Sequence, residues 1–331
     1  MCQFNQLLSE DLEKNTLMKF INIMYFVTVA GFTFVSFIWT KIHGNSTVKL
    51  RKDLCLIDIN IKNLNIHLDY NYVRTSIVRF LVLGLLSINI YFLYLLLSQS
   101  FAHKYKAMFA YGLLYFGMLH HMSVICSYLT LIRTVSHIHE KMIEKTKTSL
   151  EHSKSNRKFI LKRLMCIYHD LYGILKLVNS IFSAQILFSF ALSFLLLTIQ
   201  CYNIVSSIYN HSPYLKYSVA AIIYVSVGIL EKFVIALVCH KCMFRNVVFK
   251  QTLRRYLALY SSDKSVTKEI NAFGLQLLHE PFEIHAGNMF LIDLPIFTSI
   301  CGTASTYIIL LWQTDSKVDI NYSMKKVFGV F

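Results

Sequence analysis

The 331-residue sequence predicts an all-α, polytopic membrane protein with six membrane-spanning helices. Only 15% of its residues are charged, whereas soluble domains have about 25%. Five runs lack Asp, Glu, Lys and Arg and are long enough to cross about 30 Å of hydrocarbon, which takes roughly 20 residues. The runs lack the period-two alternation of barrel strands, so helices are the backbone structure that hydrocarbon allows.

The predicted spans follow one another in chain order at 20–40, 80–102, 107–132, 177–205, 217–240 and 294–314. The uncharged run 177–215 is too long for one span of ordinary tilt, so its helix is expected to end near residue 205. The residues Asn-His-Ser-Pro at 210–213 then predict a turn. The fifth span is apolar except for adjacent Glu231 and Lys232.

The basic residues between the spans indicate which side of the membrane each segment faces. Segments 41–74, 133–163 and 241–286 carry 22 Lys and Arg, whereas the segments on the opposite side carry 8. The positive-inside rule places the first set in the cytoplasm, and both termini are then outside. The net charge of +15 is therefore explained by topology, and no nucleic-acid partner is expected.

The chain divides at the ends of these segments. We expect an extracellular leader at 1–19, a five-helix membrane region at 20–240 with cytoplasmic loops 41–74 and 133–163, cytoplasmic helices at 241–287, a last helix within 288–314 and an extracellular tail at 315–331. The cytoplasmic stretch 244–285 has amphipathic spacing, broken near residues 261–263. The residues alone allow it to lie on anionic lipid.

The last span carries a stripe of mostly small, hydroxylated side chains. At 100° per residue, one arc roughly 100° wide contains Ser299, Thr303, Thr306, Leu310, Gln313 and Thr314. Such groups serve either a helix–helix interface, where small residues allow close approach, or a water-filled path. The residues alone favour the interface.

Two other polar pairs lie within the predicted spans. Glu231 and Lys232 point about 100° apart on a helix, so we expect them not to neutralise one another across a turn. An acid within a span is a functional candidate, but both residues lie near the cytoplasmic edge, where snorkelling is easy. His120 and His121 either face a cavity or are paired between helices.

Polar and aromatic side chains in the outer halves of the spans are candidates for a small-molecule pocket, because aromatic rings with a polar tip suit partly apolar ligands. The main candidates are Asn89, Tyr94, Tyr111, Tyr115, Gln200 and Tyr224. Tyrosine is also enriched at membrane interfaces, so each one singly is better explained as an anchor.

Enzyme chemistry is not expected. The sequence has no Gly-x-Ser-x-Gly, no Gly-rich phosphate loop and no His-Glu-x-x-His motif. Cys239 and Cys242 resemble half of a zinc site, but no second Cys or His pair has matching spacing. We therefore expect no metal and no cofactor.

The carboxy-terminal region resembles that of insect gustatory receptors, which belong to the insect chemoreceptor superfamily. In that family a Gln-Leu-Leu-His-x-Pro segment precedes a Leu-Asp pair, and the final helix carries Thr-Tyr, five hydrophobic residues, Gln and Phe. The matching residues here are Gln276, Leu277, Leu278, His279, Pro281, Asp293, Thr306, Tyr307 and Gln313. The match fails at Thr314, where the family usually has Phe.

This resemblance implies a seven-span fold, inverted relative to G-protein-coupled receptors, of which the six spans correspond to the second through seventh. The first family helix is then missing. It also implies a homo- or hetero-tetrameric cation channel in which four copies of the last helix surround the pore. Thr303, Thr306 and Leu310 would line it, Leu310 as a hydrophobic constriction, with Gln313 and Thr314 near the outer mouth. The helices at 241–287 would form an intersubunit anchor.

The expected function is then that of a gustatory receptor, a ligand-gated, non-selective cation channel in the dendritic plasma membrane of chemosensory neurons. Its partners would be a small-molecule tastant, related subunits and membrane lipid. A G-protein-coupled receptor is the first alternative, but the Asp-Arg-Tyr and Asn-Pro-x-x-Tyr motifs it predicts are absent from the sequence. A small transporter is the second, although only 3 prolines and no internal repeat disfavour the broken helices it requires.

Overall fold

The computed structural model describes residues 27, 30–98, 104–152, 157–209, 215–260 and 263–328, and these are almost entirely helical. The helices are α1 (Ala30–Ile42), α2 (Gly44–Lys62), α3 (Tyr70–Ser98), α4 (Lys104–His152), α5 (Arg157–Tyr209), α6 (Leu215–Leu259), α7 (Lys264–His279) and α8 (Leu294–Phe328), with strands β1 (His285–Ala286) and β2 (Phe290–Leu291) before α8. The predicted leader at 1–19 and the turn at 210–213 lie outside the described residues.

The helices coincide with the six predicted spans. Within the described residues, three segments are long and apolar enough to cross a membrane, and they lie in α3 (Tyr70–Leu93), α4 (Tyr115–Glu151) and α5 (Arg157–Leu195). Two shorter apolar segments, Ala30–Ile42 and Leu294–Leu310, form α1 and the first half of α8. The remaining predicted span lies in the first half of α6. The prediction of an all-α, polytopic membrane fold is therefore confirmed.

The segments 41–74 and 133–163, which are expected on the cytoplasmic side, are largely helical. Within 41–74, α2 buries Leu50, Ile57 and Ile61 and packs against α5. Within 133–163, α4 continues to His152 and α5 begins at Arg157. The predicted tail is also helical as far as Phe328. The helices within 41–74 and 133–163 bury amphipathic rather than uniformly apolar faces, so hydropathy does not detect them.

The main core lies where α4, α5, α6 and α7 extend beyond the predicted spans. Its centre is the fully buried Tyr168, whose ring centroid lies 5.1 Å from that of Phe282 and 5.8 Å from that of Phe273. The Tyr168 hydroxyl lies 3.2 Å from Asn246 Oδ1 and 2.7 Å from the Glu280 carbonyl oxygen. One buried tyrosine therefore joins α5, α6 and the end of α7.

A capped break separates α6 from α7 at the position predicted from the sequence. Asp263 Oδ1 accepts hydrogen bonds from the backbone amides of Ser265 and Val266, which satisfies two of the unpaired N–H groups at a helix start. Just before the break, Tyr256 donates to Glu151 at 2.6 Å. Burial and this hydrogen bond raise the pKa of Tyr256 to about 12, so the hydroxyl remains a donor at neutral pH.

A tight β-hairpin joins α7 to α8. Ala286 pairs with Phe290, and the Met289 amide donates to the Ala286 carbonyl across the turn. The two central turn residues have positive φ, 59° at Gly287 and 56° at Asn288, as in type I′ turns. A Cβ atom at Gly287 would lie 2.7 Å from Leu187 Cδ2, so the hairpin approaches α5 closely through a residue with no side chain.

Replacing Gly287 with Ala is expected to destabilise the protein by about 1–2 kcal/mol, because a β-carbon is strained at this positive φ and meets Leu187. The matched control is Gly274→Ala in α7, where a Cβ would meet nothing within 4 Å and helix propensity favours Ala. Thermal unfolding of the detergent-purified variants measures both. Equal midpoints for the two variants would contradict the assignment.

Candidate functional site

A cavity of about 130 Å³ lies among five helices, α3, α4, α5, α6 and α8. Its volume is close to that of the roughly 150 Å³ engineered cavity that holds benzene, so it suits a small molecule. The wall is mostly apolar, and polar groups occur at a few positions. The lining residues are Gly84, Ser87, Ile88, Tyr91, Met118, His121, Met122, Phe190, Ser193, Leu197, Val227, Gly228, Ile229, Glu231, Lys232, Phe297, Ile300 and Cys301.

A buried charged cluster forms part of this wall. Glu231 Oε1 lies 2.5 Å from Lys232 Nζ and 2.9 Å from His121 Nε2. Lys232 Nζ also donates to Ser189 Oγ at 2.6 Å. The side chains of Lys232 and Glu231 are only 7% and 11% exposed. The cluster therefore links α4, α5 and α6 through one carboxylate and one ammonium group.

The expectation that Glu231 and Lys232 do not neutralise one another was wrong. Their Cα–Cβ bonds diverge, but the four-carbon Lys232 stem bends back to the neighbouring carboxylate. Lys232 also does not snorkel outward, since its ammonium group lies 5.8 Å from the centroid of the Phe190 ring. His121 meets both alternatives left open by the sequence, because it lines the cavity and pairs with α6.

A polar network around His120 lies beside the charged cluster, because His120 precedes His121 on α4. His120 Nε2 lies 3.0 Å from Ser36 Oγ in α1, and Gln185 in α5 donates to the same oxygen at 2.9 Å. Gln185 also donates to Thr40 Oγ1 at 3.1 Å. Adjacent histidines on α4 therefore hold two different partners, α1 on one side and α6 on the other.

The last helix, α8, has two distinct faces. Phe297, Ile300 and Cys301 line the cavity. Thr303 and Thr306 are exposed on the single chain, and their hydroxyls donate to the carbonyls of the preceding turn, at 2.8 Å and 3.1 Å. The threonine hydroxyl groups thus donate their hydrogen bonds within the helix.

The rest of the stripe continues in the same direction. Leu310 is 51% exposed, and Gln313 is also exposed. The side chain of Thr314 lies outside the described residues. A neighbouring subunit or a water-filled path would use such a surface, so whether these residues line a pore stays a prediction.

The motif residues around the hairpin hold α7 and α8 in place. Asp293 Oδ1 accepts a hydrogen bond from the Ile296 amide at 3.1 Å and so caps α8. His279 is the exposed last residue of α7, and Pro281 follows it. Tyr307 is half exposed, with its ring 6.0 Å from that of Phe194 in an edge-to-face arrangement.

The predicted pocket residues lie beside the cavity wherever their side chains are described. Tyr115 donates to Asn89 Oδ1 at 3.2 Å, joining α4 to α3, and neither residue lines the cavity. The side chains of Tyr94, Tyr111, Gln200 and Tyr224 lie outside the described residues. The sequence analysis missed the cavity face of α8, although Phe297, Ile300 and Cys301 have the three-to-four spacing of one helical face.

The sequence profile of the family described as 7tm chemosensory receptor matches residues 2–318. The fold is similar to the insect olfactory receptor OR5 from Machilis hrabei in complex with eugenol, with TM-score 0.68 and 16% identity over 89% of this chain and 80% of that one. A second structure of OR5 gives TM-score 0.67 and 15% identity over 89% and 81% of the two chains. No curated protein sequence matches.

Proposed function

Since the chain belongs to the 7tm chemosensory receptor family, we propose that it is a gustatory receptor, a subunit of a ligand-gated, non-selective cation channel. In this role it depolarises a taste neuron when a tastant binds, from the dendritic plasma membrane. The gustatory rather than olfactory assignment is supported by the motif residues Gln276, His279, Pro281, Thr306 and Gln313.

The observation that carries the proposal is the pair of faces on α8. A ligand in the cavity contacts Phe297, Ile300 and Cys301, and the exposed stripe with Thr306 and Leu310 lies on another side of the same helix. Any shift of α8 that improves contact with the ligand therefore also moves the stripe. A ligand that binds this shifted state more tightly moves the closed–open equilibrium by its differential affinity.

The cavity limits the class of ligand. Its volume of about 130 Å³ excludes large sugars, and its walls are apolar apart from groups such as Ser87, Ser193 and the charged cluster. The expected tastant is a small, largely apolar molecule with one polar head. Glu231 Oε2 has no hydrogen-bond partner among the described residues, so a hydroxyl or amine on the ligand suits this end. Eugenol, which OR5 binds, is a small phenol of this kind.

A channel of this type requires several copies of the chain. In the proposed tetramer four α8 helices surround the pore, with Leu310 as the hydrophobic constriction and Gln313 at the outer mouth. Large apolar side chains near the predicted cytoplasmic end support contact between subunits, since Leu275, Leu278 and Met289 are 58%, 61% and 75% exposed. Related chains could share the tetramer as hetero-partners.

Filling the cavity tests this function. We expect Ser193→Phe to raise the tastant concentration for half-maximal whole-cell current by at least about tenfold, which corresponds to about 1.4 kcal/mol of binding free energy. The matched control is Ala191→Phe, an exposed position two residues away on α5 that does not line the cavity. Equal responses of both variants and the wild-type protein would place ligand binding elsewhere.

A further inference from the structure

A second cavity of about 460 Å³ lies between the end of α1, the first half of α5 and the segment from Pro281 to Asn288 that joins α7 to α8. It shares no lining residue with the first cavity. Its wall combines polar and apolar groups, and nothing in the proposed ligand-gating cycle uses it. Trp39, His43, Lys176, Asn179, Glu283 and His285 supply its main functional groups.

This second cavity is an open groove, and it lies at the predicted edge of the membrane. Lys176 directly precedes the uncharged run 177–215, and the groove therefore begins where the predicted span of α5 begins. Trp39 lies near the end of α1, with Nε1 donating to the Ile181 carbonyl at 2.8 Å. Tryptophan is enriched at the membrane–water interface. By the positive-inside rule this end of the helices faces the cytoplasm.

Hydrogen-bond donors line the α5 side of the groove. Lys176, Ser180 and Ser183 follow at i, i+4 and i+7, so they share one face of the helix and all three line the groove. Lys176 is exposed and forms no ion pair with any described carboxylate. An ammonium group beside two hydroxyls is suited to the oxygens of a phosphate.

Hydrogen-bond acceptors lie on both sides of the groove, on Asn179 of α5 and on Glu283 opposite it. Asn179 donates through Nδ2 to the Glu283 carbonyl at 2.8 Å, but its Oδ1 is buried and has no partner among the described residues. A buried acceptor without a donor is destabilising, so a donor on the ligand is favoured at this position. His285 Nε2 lies 3.2 Å from the Glu283 carboxylate and is its hydrogen-bond partner. The groove therefore offers hydrogen-bond donors for a phosphate together with hydrogen-bond acceptors for hydroxyl groups.

Exposed apolar side chains lie on α1 close to Trp39 in sequence. Phe37, Ile38 and Ile42 flank Trp39 in sequence and are 59%, 41% and 66% exposed. A lipid whose headgroup occupies the groove would lay its acyl chains along such a surface. A soluble anion would make no use of it.

We propose that this groove binds the headgroup of an inositol phospholipid from the cytoplasmic leaflet. Lys176, Ser180 and Ser183 hold the phosphate, and Asn179 Oδ1 and Glu283 accept hydrogen bonds from the ring hydroxyls. Among membrane lipids, this headgroup combines one anionic phosphate with several hydroxyl donors.

The test is native mass spectrometry of the full chain, purified and exchanged into micelles with phosphatidylinositol, phosphatidylserine or phosphatidylcholine. We expect phosphatidylinositol to be retained most strongly. Lys176→Ala should lower its retention by about tenfold, as expected for loss of a charge-assisted contact, and Lys176→Arg should restore most of it. The matched control is Lys158→Ala, which removes the same charge from α5 outside the groove and should leave retention unchanged.

Each other outcome overturns the proposal. Equal retention of phosphatidylinositol and phosphatidylserine would mean that charge alone is recognised. Equal losses with Lys176→Ala and Lys158→Ala would move the lipid away from the groove. Binding of soluble inositol 1-phosphate as strongly as the lipid would identify a soluble ligand instead. Thermal unfolding of the variants verifies that each is folded, and both lysines are exposed in the structure.

Discussion

Replacing Lys232 with Met is expected to reduce the stability of the protein by about 3–5 kcal/mol, the cost of removing one partner from a buried ion pair. The Glu231 carboxylate would keep only His121 as a polar partner, because the 2.5 Å contact with Lys232 is lost. The Met side chain is about as long as that of Lys and is apolar, so the packing around position 232 changes little. Thermal unfolding of the detergent-purified protein, followed by size-exclusion chromatography, measures the loss.

The double variant Lys232→Met, Glu231→Gln separates charge from packing. It removes both charges, and the glutamine amide at position 231 still offers an oxygen to His121, so we expect it to recover most of the lost stability. Lys158→Met is the surface control, since this lysine side chain is 54% exposed and exposed ion pairs contribute about 0–1 kcal/mol. A single variant no less stable than the control, or a double variant no better than the single one, would disprove the coupling.

Replacing Leu310 with Ser is expected to increase the current in the absence of ligand by at least about tenfold, because a hydrophobic constriction closes a pore by excluding water. Leu310 is half exposed on the single chain, so the change leaves the core of the subunit intact. Whole-cell recording without tastant measures the current, and surface labelling normalises it to the amount of receptor.

The control for the gate is Ile309→Ser. Residue 309 is 54% exposed, close to the 51% of Leu310, and lies about 100° around the helix from it, outside the stripe. We expect its current without ligand to match the wild type. If Leu310→Ser behaves like Ile309→Ser, α8 does not form the gate and its stripe serves a different contact.

The spans were predictable from sequence because a membrane imposes a length and an apolar composition on each helix. The amphipathic spacing of 244–285 did predict helices there. The helices within 41–74 and 133–163 were not predicted, since hydropathy does not respond to amphipathic burial. In α2, for example, Leu50, Ile57 and Ile61 recur at intervals of seven and four, which is the spacing of one helical face. A search for helical periodicity within the basic segments would have found this helix.

The candidate site was less predictable, because it arises from packing between distant parts of the chain. Sequence analysis singled out Glu231, Lys232 and His121, but the contact of Lys232 with Ser189 joins residues 43 positions apart. A helical wheel also gives only the direction of each Cα–Cβ bond. The length and rotamer of the lysine side chain decide whether its ammonium group contacts the adjacent carboxylate. The cavity is the space between five helices, so the sequence pattern of any one helix does not predict it.

The adjacent histidines of α4 make this helix a mechanical link between two parts of the membrane domain. His121 contacts α6 at the cavity, and His120 contacts Ser36 of α1, with their side chains about 100° apart around one rigid axis. A turn of α4 that draws His121 away from Glu231 also displaces His120 and strains its hydrogen bond to α1. The first described helix, which does not line the cavity, would thereby sense its occupant.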